Sequence, residues 1–196
     1  MDQPAAEMHI LSRLRLELPR ERTYHNFSHT LDVYRSAVAL GMSAGLSEEE
    51  MDLLRTAALY HDSGFMVQDH DHEEAGCVIA SEALPQFGYS TIQIEQVCRM
   101  VMATKIPPAP KDELSMILCD ADLDYLGRPD FFRIGTTLFW EFRHYGIVKN
   151  ERDWNELQVR FMSGHSYFTE ISRAEREPYK QENLQRVKQW LIDNPA

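Results

Sequence analysis

Apolar residues recur every three or four positions along nearly the whole 196-residue chain. No run shows the two-residue alternation of a half-buried strand bounded by turn signals. That periodicity predicts an all-α fold. Met8, Leu11, Leu14 and Leu18 make a first stripe, which Pro19 stops. A second helix is expected from near Asn26 to about Ala44, with Leu31, Tyr34, Val38 and Met42 at helical spacing. Ser47-Glu48-Glu49-Glu50 has capping-box form: the Ser hydroxyl serves the N3 amide and the Glu reaches back. It opens a third helix that ends near His61. A fourth helix runs from near His72 and stops before Pro85. Ser90-Thr91-Ile92-Gln93, a second capping box, opens a fifth that reaches about Ala103. Pro107, Pro108 and Pro110 make a rigid connection too short to separate domains. Leu114 to Leu123 reads as a sixth helix. Pro129 in a first turn starts a seventh, closed by Gly146, and Asn150 caps an eighth. A ninth spans about Thr169 to Ile192 and is expected to kink or break at Pro178. The expectation is one domain of about eight to nine helices over residues 1–196.

Charge narrows the function classes. With 20 Lys and Arg against 31 Asp and Glu, the net charge is −11. Such a surface repels a phosphate backbone and an anionic bilayer, and no Lys/Arg-rich run offsets it. Neither a nucleic-acid partner nor a membrane is expected. Apolar stretches fall far short of the ~20 residues a membrane span needs, and Met1-Asp2-Gln3-Pro4 does not read as a signal peptide. Cys77, Cys98 and Cys119 are odd in number and lack C-x-x-C spacing. They read as buried, reduced thiols on helices, which points to a cytoplasmic protein.

Three places concentrate imidazole and carboxylate. In Tyr24-His25-Asn26-Phe27-Ser28-His29 the two histidines are four apart and would share a helical face. His61-Asp62 closes an apolar helix before a Gly-containing turn. Asp120-Ala121-Asp122-Leu123-Asp124 sets carboxylates inside an apolar segment, where burial is costly unless they are paired or bind a cation. Neutral imidazole with carboxylate suits first-row divalent metals and leaves positions open for water. Spacing alone does not choose between Asp120 and Asp122. A second His-Asp pair, His70-Asp71, reads as a solvated loop.

Read in order, His29, His61-Asp62 and a later Asp resemble the HD superfamily of metal-dependent phosphohydrolases over about residues 22–128. Tyr24-His25-Asn26-x-x-His29 is similar to the first metal motif of the cyclic-nucleotide phosphodiesterases in that superfamily. Ala57-Ala58-Leu59-Tyr60-His61-Asp62-Ser63-Gly64 resembles the HD motif, and Ala121-Asp122-Leu123 the last ligand, which selects Asp122. The resemblance implies an all-helical HD core at about 22–128 followed by C-terminal helices over 129–196. By this match His29, His61, Asp62 and Asp122 would hold one divalent ion (Mn, Mg, Fe, Co, Ni or Zn). Asp62 would bridge to a second ion, and His25 would be the general acid for the leaving oxygen.

The sequence departs from the family's full dinuclear pattern. His72 fits the first of two further histidine ligands, with a solvated acidic loop as its rival reading. The second should fall near Ala103-Thr104, where no His occurs. One firmly bound ion and a weaker second at Asp62 and His72 is therefore the expectation. Lys105 and Arg128 are candidate clamps for a substrate phosphate. The expected activity is hydrolysis of a phosphoester, diester or monoester, of a small substrate such as a nucleotide or cyclic nucleotide. An HD-fold oxygenase and a non-catalytic nucleotide-binding sensor are the rival readings. The oxygenase needs the six-ligand set that the missing His interrupts.

Overall fold

A computed structural model describes residues 1–195. Among these residues the chain is all helical: ten α-helices, three short 3-10 turns and no strand. The helices are α1 (Gln3–Glu17), α2 (Phe27–Ala44), α3 (Glu48–Tyr60), α4 (His72–Ala83), α5 (Thr91–Ala103) and α6 (Glu113–Asp122). They continue as α7 (Phe131–His144), α8 (Glu151–Gly164), α9 (Glu170–Glu175) and α10 (Glu177–Asp193). Two units are distinguished. The first comprises Met1–Arg20 with His25–Asp122; the second comprises Glu21–Tyr24 with the chain from Leu123 onward.

In the first unit α3 is the central helix. Leu53, Leu54 and every residue from Thr56 to Tyr60 are buried, the pattern of a helix enclosed on all sides. Its start is fixed locally, because Ser47 and Glu50 complete the capping box. Ser90 and Gln93 do the same for α5. α2 packs on α3 and α6, while α5 packs on α3 and α4.

The buried face of α2 is not the one its large apolar residues mark. His29, Thr30, Val33, Ala37 and Gly41 point inward, and Met42 is 71% exposed. Gly41 shows why: a Cβ there would meet Met51 Cε at 2.9 Å and Leu54 Cδ2 at 3.0 Å. The helices approach too closely for a bulky residue. α1 likewise turns Ala6, Ile10 and Leu14 inward and leaves Met8 in solvent.

In the second unit α10 packs on α8, on α9 and on the 3-10 turn Asp124–Gly127. Pro129 does not open α7; the helix begins at Phe131, after Asp130. The expected ninth helix is two, separated at Arg176, with Pro178 in the first turn of α10, where its missing N–H costs nothing. The unit also buries an ion pair. Glu141, fully buried on α7, accepts hydrogen bonds from Arg22 Nη1 at 2.9 Å and Tyr24 N at 2.8 Å.

Candidate metal centre

Three helix ends of the first unit supply the chemistry. Asn26 caps α2 by accepting from Ser28 N (2.8 Å) and His29 N (3.3 Å), which sets His29 in the first turn. His61 and Asp62 directly follow α3, and Asp122 is the last residue of α6. His25 precedes the cap, so it does not share a helical face with His29 as their spacing suggested. The chain turn before the cap still brings the two rings to 5.8 Å, edge to face.

Four side chains converge. His29 Nε2 lies 3.3 Å from Asp62 Oδ2 and 3.2 Å from Asp122 Oδ1. His61 Nε2 lies 3.2 Å and 3.5 Å from the same two oxygens. His29, His61 and Asp122 offer donor atoms that all fall within 4.8 Å of one another. Ligand atoms each about 2.1 Å from one ion, at tetrahedral or octahedral angles, stand roughly 3.0–3.4 Å apart. The imidazole–carboxylate spacings match those polyhedron edges.

The tautomer of His61 agrees. Its Nδ1 lies 2.8 Å from the Ala58 carbonyl, which can only accept, so the proton sits on Nδ1 and the Nε2 lone pair faces the cluster. His61 Nε2 and Asp62 Oδ2 are buried and complete no well-directed hydrogen bond among the described residues, despite their proximity. They are aimed at a common point rather than at each other, as ligands of one ion are. The donor set fits a divalent metal.

Electrostatics point the same way. Burial alone would push the His29 imidazole down, but Asp122 and Asp62 overcome it and raise it to about 9. Burial and the same two carboxylates compete at His61, which ends well above its ordinary value. Burial would raise the carboxyls, yet His61 and His29 hold Asp62 well below the usual range, and His29 and His61 do the same for Asp122. The buried Asp62 and the partly buried Asp122 side by side require positive charge, which protons or a cation can supply.

Asp62 uses both oxygens. While Oδ2 faces His29 and His61, Oδ1 lies 3.4 Å from His72 Nε2, and that nitrogen is also 3.4 Å from Glu73 Oε1. His72 stacks on Phe65, with centroids 3.8 Å apart and planes at 17°, so it is packed and not a solvated loop residue. Phe65 also touches His25, at 4.8 Å between centroids. At the position of the missing histidine, Thr104 is buried and its hydroxyl donates to the Val101 carbonyl.

The other sequence candidates are not among these converging side chains. Asp120 is fully buried on α6, but the donors that meet are those of His29, His61 and Asp122. Asp124 belongs to the second unit and binds Arg176 Nε at 2.6 Å and Arg128 Nη1 at 3.3 Å. Arg128 is further engaged by Asp130. Lys105 Nζ is held by Asp71 at 2.7 Å and Glu74 at 2.6 Å.

Three residues have roles at the site that the sequence does not announce. Gly64 is one: a Cβ there would stand 1.8 Å from the His72 carbonyl oxygen, so only glycine lets the first turn of α4 sit against the HD segment. Phe65 and the buried Glu73 are the others. Glu73 looks in sequence like any solvated acid in a helix's first turn, and nothing local marks it as buried.

The fold is all-α, with imidazoles and carboxylates brought together at its helix ends in a set that could hold a metal ion. The HD domain family matches residues 26–124, about half of the chain, and the chain belongs to that family. Two crystal structures share the fold. A predicted HD superfamily hydrolase from an uncultured Thermotogales bacterium is 21% identical, with a TM-score of 0.64 over 95% of this chain and 91% of that one. Bacillus subtilis YpgQ in complex with ADP is also 21% identical, with a TM-score of 0.67 over 100% of this chain and 98% of that one. No curated protein gives a significant match. Among the described residues no helix is long and apolar enough to cross a membrane.

Proposed function

We propose that this HD domain protein is a metal-dependent phosphohydrolase that cleaves a phosphoester of a nucleotide or cyclic nucleotide. The observation that carries the reading is the meeting of two imidazole nitrogens and two carboxylate oxygens, 3.2–3.5 Å apart. His29, His61, Asp62 and Asp122 would hold one divalent ion firmly. Asp62 Oδ1 and His72 would serve a weaker second. When bound, such an ion polarises a phosphoryl oxygen and lowers the pKa of water from ~16 towards ~7.

The chain's own groups do the rest. Asp62 turns Oδ2 to His29 and His61 and Oδ1 to His72, so it would be placed to serve both positions. Ala58 fixes the His61 ring through its carbonyl, and Phe65 fixes the His72 ring by stacking. His25, half-buried beside Phe65 and His29, is the proton donor for the departing oxygen, a role that a positioned histidine commonly fills. Lys105 and Arg128, the candidate phosphate clamps, are each already paired with carboxylates that a substrate phosphate would have to compete with. The ADP held by the Bacillus relative of the same fold supports a nucleotide as ligand.

The test is hydrolysis of bis(p-nitrophenyl) phosphate beside p-nitrophenyl phosphate and a nucleotide panel, chelated and with Mn²⁺, with bound metal counted in parallel. Asp62→Ala is expected to lose metal and turnover together. His25→Ala is expected to keep its metal and lose turnover ~10²–10⁴-fold. Full activity in His25→Ala removes the acid assignment. Nucleotide binding without cleavage by the metal-loaded protein would favour a sensor over an enzyme.

A further inference from the structure

The seam between α4 and α5 holds a second reactive cluster, outside the candidate metal centre. Cys77 on α4 and Cys98 on α5 cross there. Cys77 Sγ lies 3.5 Å from the Cys98 carbonyl oxygen, and Cys98 Sγ lies 3.7 Å from the Cys77 carbonyl oxygen. Each side chain therefore reaches the other's backbone, which puts both sulfurs in the same gap. Both residues are half-buried, open to a small oxidant. The Ser81 hydroxyl stands 3.9 Å from Cys98 Sγ. The neighbouring Cys77 side chain holds the Cys98 thiol down at about 7 against burial, and Ser81 assists. Cys77 is pushed far up by the same pairing. One thiol is thus poised as the nucleophile and its neighbour as the resolving partner.

Cys119 is the internal contrast. It is fully buried, donates to the Ala103 carbonyl at 3.2 Å and is raised well above an ordinary thiol by burial.

We propose that Cys77 and Cys98 form a redox pair that a peroxide converts to a reversible disulfide stapling α4 to α5. In the first step the Cys98 thiolate attacks a peroxide oxygen; the O–O bond breaks, a sulfenic acid forms and water leaves with the thiol proton. Cys77 then attacks the sulfenic sulfur, the S–S bond forms and a second water departs. The two thiols lose two electrons and the peroxide gains them. A dithiol reductant reverses the reaction by exchange. The staple falls on the helix whose first turn presents His72 and Glu73, one turn before Cys77. Lys105 already ties the same seam through Glu74.

The test is a thiol count on the denatured full-length chain before and after hydrogen peroxide, and it needs no enzyme activity. Three thiols are expected to fall to one, with a mass lower by two hydrogens and recovery of all three in dithiothreitol. Cys119→Ser is expected to fall from two to none. Cys77→Ser is expected to stop at a dimedone-reactive sulfenic acid on Cys98. Survival of all three thiols, sulfinic acid without pairing, or disulfides only between chains would overturn the assignment.

Discussion

Gly64→Ala tests whether glycine at this position is what sets His72 against Asp62. A Cβ built at Gly64 stands 1.8 Å from the His72 carbonyl oxygen and 2.9 Å from Gly76 N. Both neighbours are backbone, so no side chain can swing aside. Reaching even the 3.0 Å floor of real Cβ contacts means opening the gap by about 1.2 Å. The first turn of α4 must move by that distance and take His72 with it. The spacing of 3.4 Å between His72 Nε2 and Asp62 Oδ1 would then exceed 4 Å by rough geometry, beyond direct cooperation between the two groups.

Overpacking of this kind costs about 1–3 kcal/mol. For a chain of this length each kcal/mol lowers the melting temperature by about 2–4 °C. A displacement near 1 Å at a reacting centre costs on the order of 10²-fold in rate. Gly76→Ala is the graded control: its Cβ would meet Tyr60 O at 3.0 Å and Ser63 Oγ at 3.2 Å, a contact that a few tenths of an ångström relieves. The assay is thermal unfolding of both variants, with turnover of the ester found to be cleaved. Gly64→Ala should be much the worse of the two, and its rate loss should not add to that of His72→Ala. A Gly64→Ala protein as stable and active as the parent, or less affected than Gly76→Ala, would refute the reasoning.

Other expectations follow from the buried charges. In chelated protein His29 is raised to about 9 from an unfolded value near 6.5, so its stabilisation is complete below pH ~6.5 and is lost as pH rises through ~9. That loss is about 3 kcal/mol from His29 alone, visible as a falling melting temperature in EDTA. A bound ion needs the imidazoles neutral, so stabilisation by Mn²⁺ should grow over the same window; a metal increment independent of pH would contradict the ligand assignment. Asp62 and Asp122, held low, add stability that vanishes as pH falls below ~4 towards their folded values. In the second unit, Arg22→Met takes the opposite charge from the buried Glu141 and Glu141→Gln takes it from the buried Arg22, and each should cost about 3–5 kcal/mol in urea unfolding. A loss under 1 kcal/mol in both would mean that water reaches the pair.

What the sequence makes legible here is what a few neighbouring residues decide among themselves. The boxes at Ser47 and Ser90 and the Asn26 cap close their hydrogen bonds within three residues, so the starts of α2, α3 and α5 can be placed without any tertiary knowledge. Packing between helices is different. The inward face of α2 carries Thr30, Ala37 and Gly41, the last where α3 leaves no room for more, and a reading by hydrophobicity selects the larger residues beside them. The site divides along the same line. The wording around His29, His61-Asp62 and Asp122 marks those residues one by one, yet nothing in the chain order tells that Asp62 turns its second oxygen to His72. Nor does it tell that Phe65 clamps the ring there, or that Gly64 has to be small for the contact to exist. These depend on α4 returning against the end of α3. Lys105 shows the converse: alone it reads as a free cation beside a Pro turn, and only the fold reveals that Asp71 and Glu74 already hold it. A cation's availability depends on what its neighbours leave unpaired, and for Lys105 those neighbours lie more than thirty residues away in sequence.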